Sequence, residues 1–157
     1  MFLFPPTFIL RHRKENLKKC SLSGLEHRTD MRFFTYPKDL LPDLSSYILL
    51  TIHAPPLTAT DNMYGIFLID ATWKYAQTMF QQLEKPPLFQ ERSLPNGFHT
   101  AYPRRQEDCS DPTRGLASVE ALYIAYRILG RDATGLLDHY YWKEAFLKNN
   151  ETLIKSL

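Results

Sequence analysis

The sequence has few cysteines and no long apolar run. Only two cysteines, Cys20 and Cys109, occur among its 157 residues, and neither stands in a C-x-x-C pair. Two cysteines cannot form a four-ligand zinc site by themselves, and their scarcity favours a reduced, intracellular protein. No apolar stretch approaches the roughly 20 residues that a membrane-spanning helix needs. We therefore expect a cytoplasmic protein without a membrane partner.

Several catalytic and cofactor-binding motifs are also missing. The sequence contains no G-x-G-x-x-G, G-x-x-x-x-G-K, G-x-S-x-G or H-E-x-x-H. Their absence argues against a dinucleotide-binding turn, a P-loop, a serine-hydrolase elbow and a zinc-protease site. The five histidines show no metal-ligand spacing, and we predict no metal site.

The net charge is only +2, but the basic residues are clustered. Residues 11–19 carry five Lys or Arg and one Glu, and Arg104, Arg105 and Arg114 form a second group. Such clusters suit contacts with phosphates. Taken alone, either cluster is more simply interpreted as a solvated surface.

Apolar runs alternate with polar or helical segments over the first two-thirds of the chain. Several runs are apolar at consecutive positions, which is typical of strands buried on both faces of a parallel sheet. The pattern indicates an α/β fold with a mainly parallel five-stranded sheet. It predicts strands at 7–12, 31–37, 47–54, 64–71 and 97–103.

Helices are predicted between the strands and after them. One is expected within 14–26 and another at 72–84, where an apolar face recurs with helical spacing. After Pro103, a polar loop precedes a helix with Ser118 as its candidate N-cap and Gly130 at its end. One or two further helices follow. We therefore divide the chain into an α/β region, 1–103, and an all-helical C-terminal region, 104–157.

Asp70 stands at the end of the fourth predicted strand, and Trp73 follows within the next helix. Ligands of open parallel sheets bind beyond the carboxyl ends of the strands, so Asp70 is a candidate ligand-binding residue. Asp70 could equally be only an N-cap whose charge the helix amides stabilise, and Trp73 could be a core residue. An acid beside an aromatic ring also suits a ligand with a flat base or a sulfonium cation.

Four short motifs occur in order along the chain: "KKCS" at 18–21, "DATW" at 70–73, "GLASVEAL" at 115–122 and "YYWKEAFLKNN" at 140–150. On these motifs, the sequence resembles the ribosomal-RNA aminocarboxypropyltransferases and, more distantly, the DTW-domain transfer-RNA enzymes. It departs from the ribosomal pattern in having "ENL" before Lys-Lys-Cys and Ala-Thr between the acid and the Trp. The first and last motifs favour the ribosomal branch.

The resemblance implies a SPOUT-like fold with a deep trefoil knot and S-adenosylmethionine as donor. The implied reaction moves the 3-amino-3-carboxypropyl group to a uridine or pseudouridine in RNA. Ribosomal RNA of the small subunit is favoured over transfer RNA. The family analogy also suggests a monomer that acts in ribosome biogenesis. A SPOUT-type methyltransferase and a non-catalytic RNA-binding assembly factor are the alternatives.

The resemblance assigns roles to individual residues. Asp70 would be the general base for the ring nitrogen, or it would only orient the reactants. Ser21 would contact the carboxylate of the transferred arm, and Glu120 would steady a loop at a helix start. The remaining cofactor-binding residues would be Trp73, Ala76, Leu94, Leu116, Ala117 and Ser118, with Pro55 and Tyr102 in the same cleft. The RNA-binding residues would be Arg11, Arg13, Lys14, Lys18, Lys19, Arg104 and Arg105.

Overall fold

Five parallel strands form a sheet in the order β2-β1-β4-β3-β5. The computed structural model of the protein describes residues 4–83, 89–103 and 115–157. Within these ranges, the sequence prediction of an α/β fold with a five-stranded parallel sheet is confirmed. The strands are Thr7–His12 (β1), Met31–Tyr36 (β2), Tyr47–Leu50 (β3), Gly65–Asp70 (β4) and Gln90–Arg92 (β5).

The central strands β1 and β4 are buried on both faces of the sheet. Successive side chains of a strand point to opposite faces, so neighbouring residues enter different layers of the core. Ile9 and Ile66 pack into one layer of the core, whereas Phe8 and Phe67 pack into the other. All four side chains are almost completely buried. The consecutive apolar positions in the sequence reflect this double burial.

The helices cover the two faces of the sheet. Helix α1 (Trp73–Gln81) places Met79 in the layer with Phe8 and Phe67. Helix α2 (Ser118–Ile128) packs against the other layer, and Gly130 follows it with a φ of +71°. The last helices are α3 (Lys143–Asn149) and α4 (Glu151–Lys155).

Residues 115–157 contain helices and turns but no strand. Their apolar side chains share one core layer with those of the sheet. The division of the chain at residue 103 stays a prediction. Among the described residues, no helix has the length and apolarity to cross a lipid bilayer.

The helix predicted within 14–26 does not form. The segment is instead a series of tight turns, in which backbone N–H groups donate to carbonyls three residues earlier, as at Lys19 and Ser23. The side chain of Asn16 accepts a hydrogen bond from the N–H of Lys18, and Gly24 has a φ of +95°. Asn side chains that bond to nearby backbone groups compete with helix formation, and a φ of this sign is incompatible with a right-handed helix.

The fifth strand lies at 90–92 and not at 97–103, as the sequence predicted. Residues 97–103 have no strand structure, because side chains satisfy their backbone groups. The Asn150 amide binds both the N–H and the carbonyl of His99, and the Glu120 carboxylate accepts the N–H of Ala101. The alternating pattern of this segment therefore reflects a loop that is anchored on the helices.

Candidate active site

The site begins with an ion pair between the carboxyl ends of β1 and β4. Arg11 and Asp70 are partners in the register of the two strands, so their side chains leave the same face of the sheet. Arg11 Nε donates to Asp70 Oδ2 at 3.2 Å, and the guanidinium also donates to Glu26. The Arg11 guanidinium lies 4.7 Å from the centre of the Phe33 ring. The Phe33 ring and the two carboxylates together hold the Arg11 guanidinium in place.

Asp70 is only 4% exposed, and both of its oxygens accept hydrogen bonds. The Cys20 thiol donates to Oδ2 at 3.0 Å, in addition to Arg11, and the Ser118 hydroxyl donates to Oδ1 at 2.9 Å. The N-cap of α1 is Thr72, so the sequence prediction of Asp70 as a possible N-cap is wrong. The buried charge of Asp70 is stabilised by partners from β1, a loop and α2.

Glu15 completes this polar cluster. Carboxylate or thiol atoms of Glu15, Cys20 and Asp70 all lie within 4.8 Å of one another. Burial, together with the charge of Asp70 and against the opposing charge of Arg11, raises the pKa of Glu15 to about 7. Burial likewise raises the pKa of the Cys20 thiol to about 12. The spacing resembles that of a metal site, but Arg11 already binds the relevant oxygen and sulfur, and its charge opposes a cation there.

Next to this cluster is a cavity of about 460 Å³. It opens at the carboxyl ends of β3 and β4 and lies between α1 and the start of α2, where ligands of parallel sheets bind. Its walls come from the β3 end (Leu49–His53), the β4 end (Leu68, Ile69, Ala71), Glu91, α1 (Trp73, Ala76, Gln77, Phe80, Gln81), the loop 94–98, and the α2 start (Gly115, Leu116, Ser118, Ala121).

Ser118 connects the polar cluster to the cavity. Among the described residues, it is the one that both lines the cavity and bonds to Asp70. The sequence predicted Ser118 as the N-cap of α2, but the N-cap is Ala117 and Ser118 is the first helical residue. The Ser118 hydroxyl is directed to Asp70, and the Glu120 carboxylate accepts the N–H of Ala117 instead.

Glu120 holds the loops that wall the cavity, as the sequence predicted. It is fully buried, and its carboxylate accepts hydrogen bonds from four groups. These donors are the Thr100 hydroxyl, the Ala101 N–H, the Ala117 N–H and the Tyr140 hydroxyl, at 2.6 to 2.9 Å. One carboxylate therefore fastens the loop after β5, the start of α2 and the segment before α3 to one another.

The structure separates the expected cofactor-binding residues into two groups. Those that line the cavity are Trp73, Ala76, Leu94, Leu116 and Ser118. The others lie behind or beside its walls. The Ser21 hydroxyl accepts the N–H of Val119, the Pro55 carbonyl accepts the N–H of Ser93, and the Tyr102 hydroxyl donates to the Lys19 carbonyl. Ala117 is buried at the N-cap, and Asp70 lies one hydrogen bond from the cavity, behind Ser118.

The expected RNA-binding residues also differ in their surroundings. Arg13, Lys14, Lys18 and Lys19 are exposed on the segment that follows β1. Arg11 is the exception, because its side chain is 12% exposed and is bound to two carboxylates. Arg104 and Arg105 lie outside the described residues.

Sequence reasoning missed Glu15, the Cys20 thiol and the walls contributed by 49–53 and 95–98, although it did predict Leu94. Glu15 was visible only as the single acid within the basic run. The segment "HAPP" follows the apolar run of β3 in the sequence, so it could have been predicted to line a site at the strand ends. His53 of this segment does line the cavity.

The fold and the site together define an open parallel α/β protein with a ligand cavity beyond its strand ends. A solved structure described as the SAM-dependent rRNA:acp-transferase Tsr3 from Vulcanisaeta distributa is similar to this chain. The TM-score is 0.73 at 25% identity, over 97% of this chain and 82% of that one. No protein-family model and no curated protein sequence matches the chain. The structural similarity supports the resemblance to ribosomal-RNA aminocarboxypropyltransferases.

Proposed function

We propose that the protein transfers the 3-amino-3-carboxypropyl group of S-adenosylmethionine to a uridine or pseudouridine in RNA. Ribosomal RNA of the small subunit is favoured over transfer RNA. One observation carries the proposal: two of the sequence motifs wall one cavity. Trp73 and Ala76 come from "DATW" and the helix that it opens, and Leu116 and Ser118 come from "GLASVEAL". The similar structure, of a SAM-dependent rRNA:acp-transferase, supports the same reading.

The cavity residues fit S-adenosylmethionine. A volume of about 460 Å³ lies within the usual range of about 300–1,000 Å³ for small-molecule sites. The described lining contains Glu91 but no Lys or Arg, which suits a sulfonium cation better than a phosphate-bearing cofactor. The Trp73 ring offers an aromatic surface for that cation.

When bound, S-adenosylmethionine supplies a carbon whose bond to sulfur breaks as the acceptor nitrogen bonds to it, leaving the electron pair on sulfur in methylthioadenosine. The protein's residues enclose and orient the reactants. Trp73, Ala76 and Leu116 would give the bound ligand apolar walls. Asp70 holds Ser118 and Arg11 in place through its hydrogen bonds. Because both of its oxygens are engaged, the orienting role suits Asp70 better than that of general base.

RNA would approach over the exposed basic residues that follow β1. Arg13, Lys14, Lys18 and Lys19 lie on the segment between the end of β1 and Cys20, which itself contacts Asp70. Exposed positive charge after the carboxyl end of β1 supports this approach. The proposal includes a SPOUT-like knot, a monomeric protein and a cytoplasmic role in ribosome biogenesis.

The proposed function is tested by identifying the products of the reaction. The purified protein is incubated with S-adenosylmethionine and RNA from a strain that lacks the gene, and the small-molecule product and the RNA nucleosides are analysed by mass spectrometry. We expect methylthioadenosine and an aminocarboxypropylated uridine or pseudouridine in small-subunit RNA. S-adenosylhomocysteine would instead identify a methyltransferase. No thermal shift with S-adenosylmethionine would identify an assembly factor, since ligand at 100 times its Kd should stabilise the fold by about 2.7 kcal/mol.

A further inference from the structure

The polar cluster lies where the connections that leave β1 and β4 diverge. The chain leaves β1 toward β2 at one side of the sheet, and it leaves β4 toward β5 at the other side. The crevice beyond two such strands is the usual binding position in an open parallel sheet. Arg11, Asp70 and Glu15 stand at this crevice, next to the cavity rather than in its walls.

Asp70 is poorly placed to receive a proton from an RNA base. It is 4% exposed, and its two oxygens already accept from Arg11, Cys20 and Ser118. A base that reached Asp70 would have to displace one of these donors and leave it buried without a partner, which is costly.

Glu15 has the opposite surroundings. It is partly exposed, on the turn that follows β1, and an oxygen of its carboxylate lies within 4.8 Å of Asp70. Across the part of the chain that the structure describes, its carboxylate has no hydrogen bond and no ion pair within bonding distance. Glu15 therefore offers an accessible acceptor at the solvent edge of the cluster, next in the chain to the exposed Lys14.

We propose that Glu15 is a catalytic residue that accepts the proton of the RNA base, with Asp70 as the residue that positions the cluster. This role rests on the proposed function. The proton moves from the ring nitrogen to a carboxylate oxygen of Glu15 and then to water, so one proton is released for each group transferred. The electron pair left on the nitrogen forms the new bond to carbon.

The electrostatics of the cluster support this assignment. The groups that face Glu15 are Asp70 on β4, Arg11 on β1 and the Cys20 thiol in the following loop. Burial first, and the Asp70 charge second, raise the pKa of Glu15 to about 7 even though the Arg11 charge lowers it. A general base is most effective when its pKa lies near the working pH.

The first test needs neither S-adenosylmethionine nor RNA. The side-chain carboxyl carbons of glutamate are followed by NMR in the whole protein from acid to alkaline pH, and the Glu15 signal is assigned with Glu15→Gln. We expect a midpoint at about 7. A midpoint near the ordinary value of 4.5 would overturn the proposal, whatever reaction the protein performs.

Thermal unfolding gives a second measurement that is independent of activity. Because the pKa of Glu15 is raised in the folded state, the wild type loses stability as pH rises from 4.5 to about 7. Glu15→Gln lacks this loss, so its Tm should exceed that of the wild type at about pH 8 and match it near pH 4.5. Glu144→Gln makes the same substitution at an exposed position of α3 and is the matched control for the loss of a glutamate.

Kinetics test the catalytic role. We expect Glu15→Gln to lower kcat by about 100-fold or more and to leave the Kd for S-adenosylmethionine unchanged, while Glu15→Asp retains part of the activity. The wild-type kcat should rise with pH to a plateau above about 7. If the wild type forms methylthioadenosine and Glu15→Gln forms it equally fast, the role of Glu15 is wrong and the proposed function stands. If the wild type forms none, the proposed function itself fails.

Discussion

Arg11 and Asp70 face each other across two neighbouring parallel strands, with 3.2 Å between Arg11 Nε and Asp70 Oδ2. Since side chains in register leave the same face of the sheet, the strand pairing itself brings the two charges together. The pair lies at the end of the buried strands, where solvent screens it poorly. The ion pair thus links the fold of the sheet to the chemistry at its edge.

Removing the cation should therefore destabilise the fold. Arg11→Met leaves the buried Asp70 without its charge partner, and we expect the free energy of unfolding to fall by about 3 kcal/mol. Urea denaturation measures the change. Lys155→Met, which breaks an exposed pair with Glu151 on α4, is the control and should cost no more than about 0.5 kcal/mol. Equal effects of the two substitutions would mean that the Arg11 pair does not stabilise Asp70.

Filling the cavity should weaken ligand binding without unfolding the protein. Ala76→Leu adds a larger side chain to a wall that α1 contributes to the cavity. We expect the affinity for S-adenosylmethionine to fall by at least about tenfold, equivalent to about 1.4 kcal/mol, in isothermal titration calorimetry. Thr78→Leu places the same side chain at an exposed position of α1, away from the cavity, and should bind as the wild type does. Unchanged affinity for Ala76→Leu would place the ligand elsewhere.

Glu120→Gln should loosen the cavity walls. The substitution turns one acceptor oxygen into an N–H donor that faces the donors of Thr100, Ala101, Ala117 or Tyr140. Leaving buried donors unsatisfied costs about 1–3 kcal/mol, and we expect a loss of about 3 kcal/mol in the free energy of unfolding. Hydrogen exchange should rise in 97–102 and 115–118. An exchange increase confined to α2 would contradict a role in holding the loops.

Charge reversal after β1 should weaken RNA binding. Lys18→Glu combined with Lys19→Glu should raise the Kd for RNA and reduce the slope of log K against log salt by about 0.7 for each lost phosphate contact. Lys148→Glu with Lys155→Glu makes the same change in net charge on α3 and α4 and serves as the control. Equal salt slopes for the two double variants would show that only net charge matters.

The sequence predicted the sheet well because a buried strand is marked by a run of apolar residues that are adjacent in the chain. Consecutive apolar residues around Ile9 and Ile66 indicate double burial without knowledge of any partner. The segment 97–103 was misassigned because its backbone partners, Glu120 and Asn150, are distant side chains that periodicity does not reveal.

The site was predicted in part for the same reason. Trp73 and Ala76 are close to Asp70 along the chain, so one motif indicated all three. Cys20 and Glu15 reach Asp70 only through the turns after β1 and the pairing of β1 with β4. The sequence thus indicated Asp70 at a strand end. It did not indicate which groups donate hydrogen bonds to Asp70, or that Glu15 lies beside it.

Asn150, between α3 and α4, holds His99 by two backbone hydrogen bonds, and Leu153 of α4 lies against Gly97 in the cavity wall. The far end of the chain therefore supports the cavity, although it contributes none of the lining residues among those described. A nonsense mutation or a proteolytic cut just before Asn150 would spare every strand of the sheet. In a genetic screen, such a lesion would be scored as a defect in donor binding rather than as the loss of a dispensable tail.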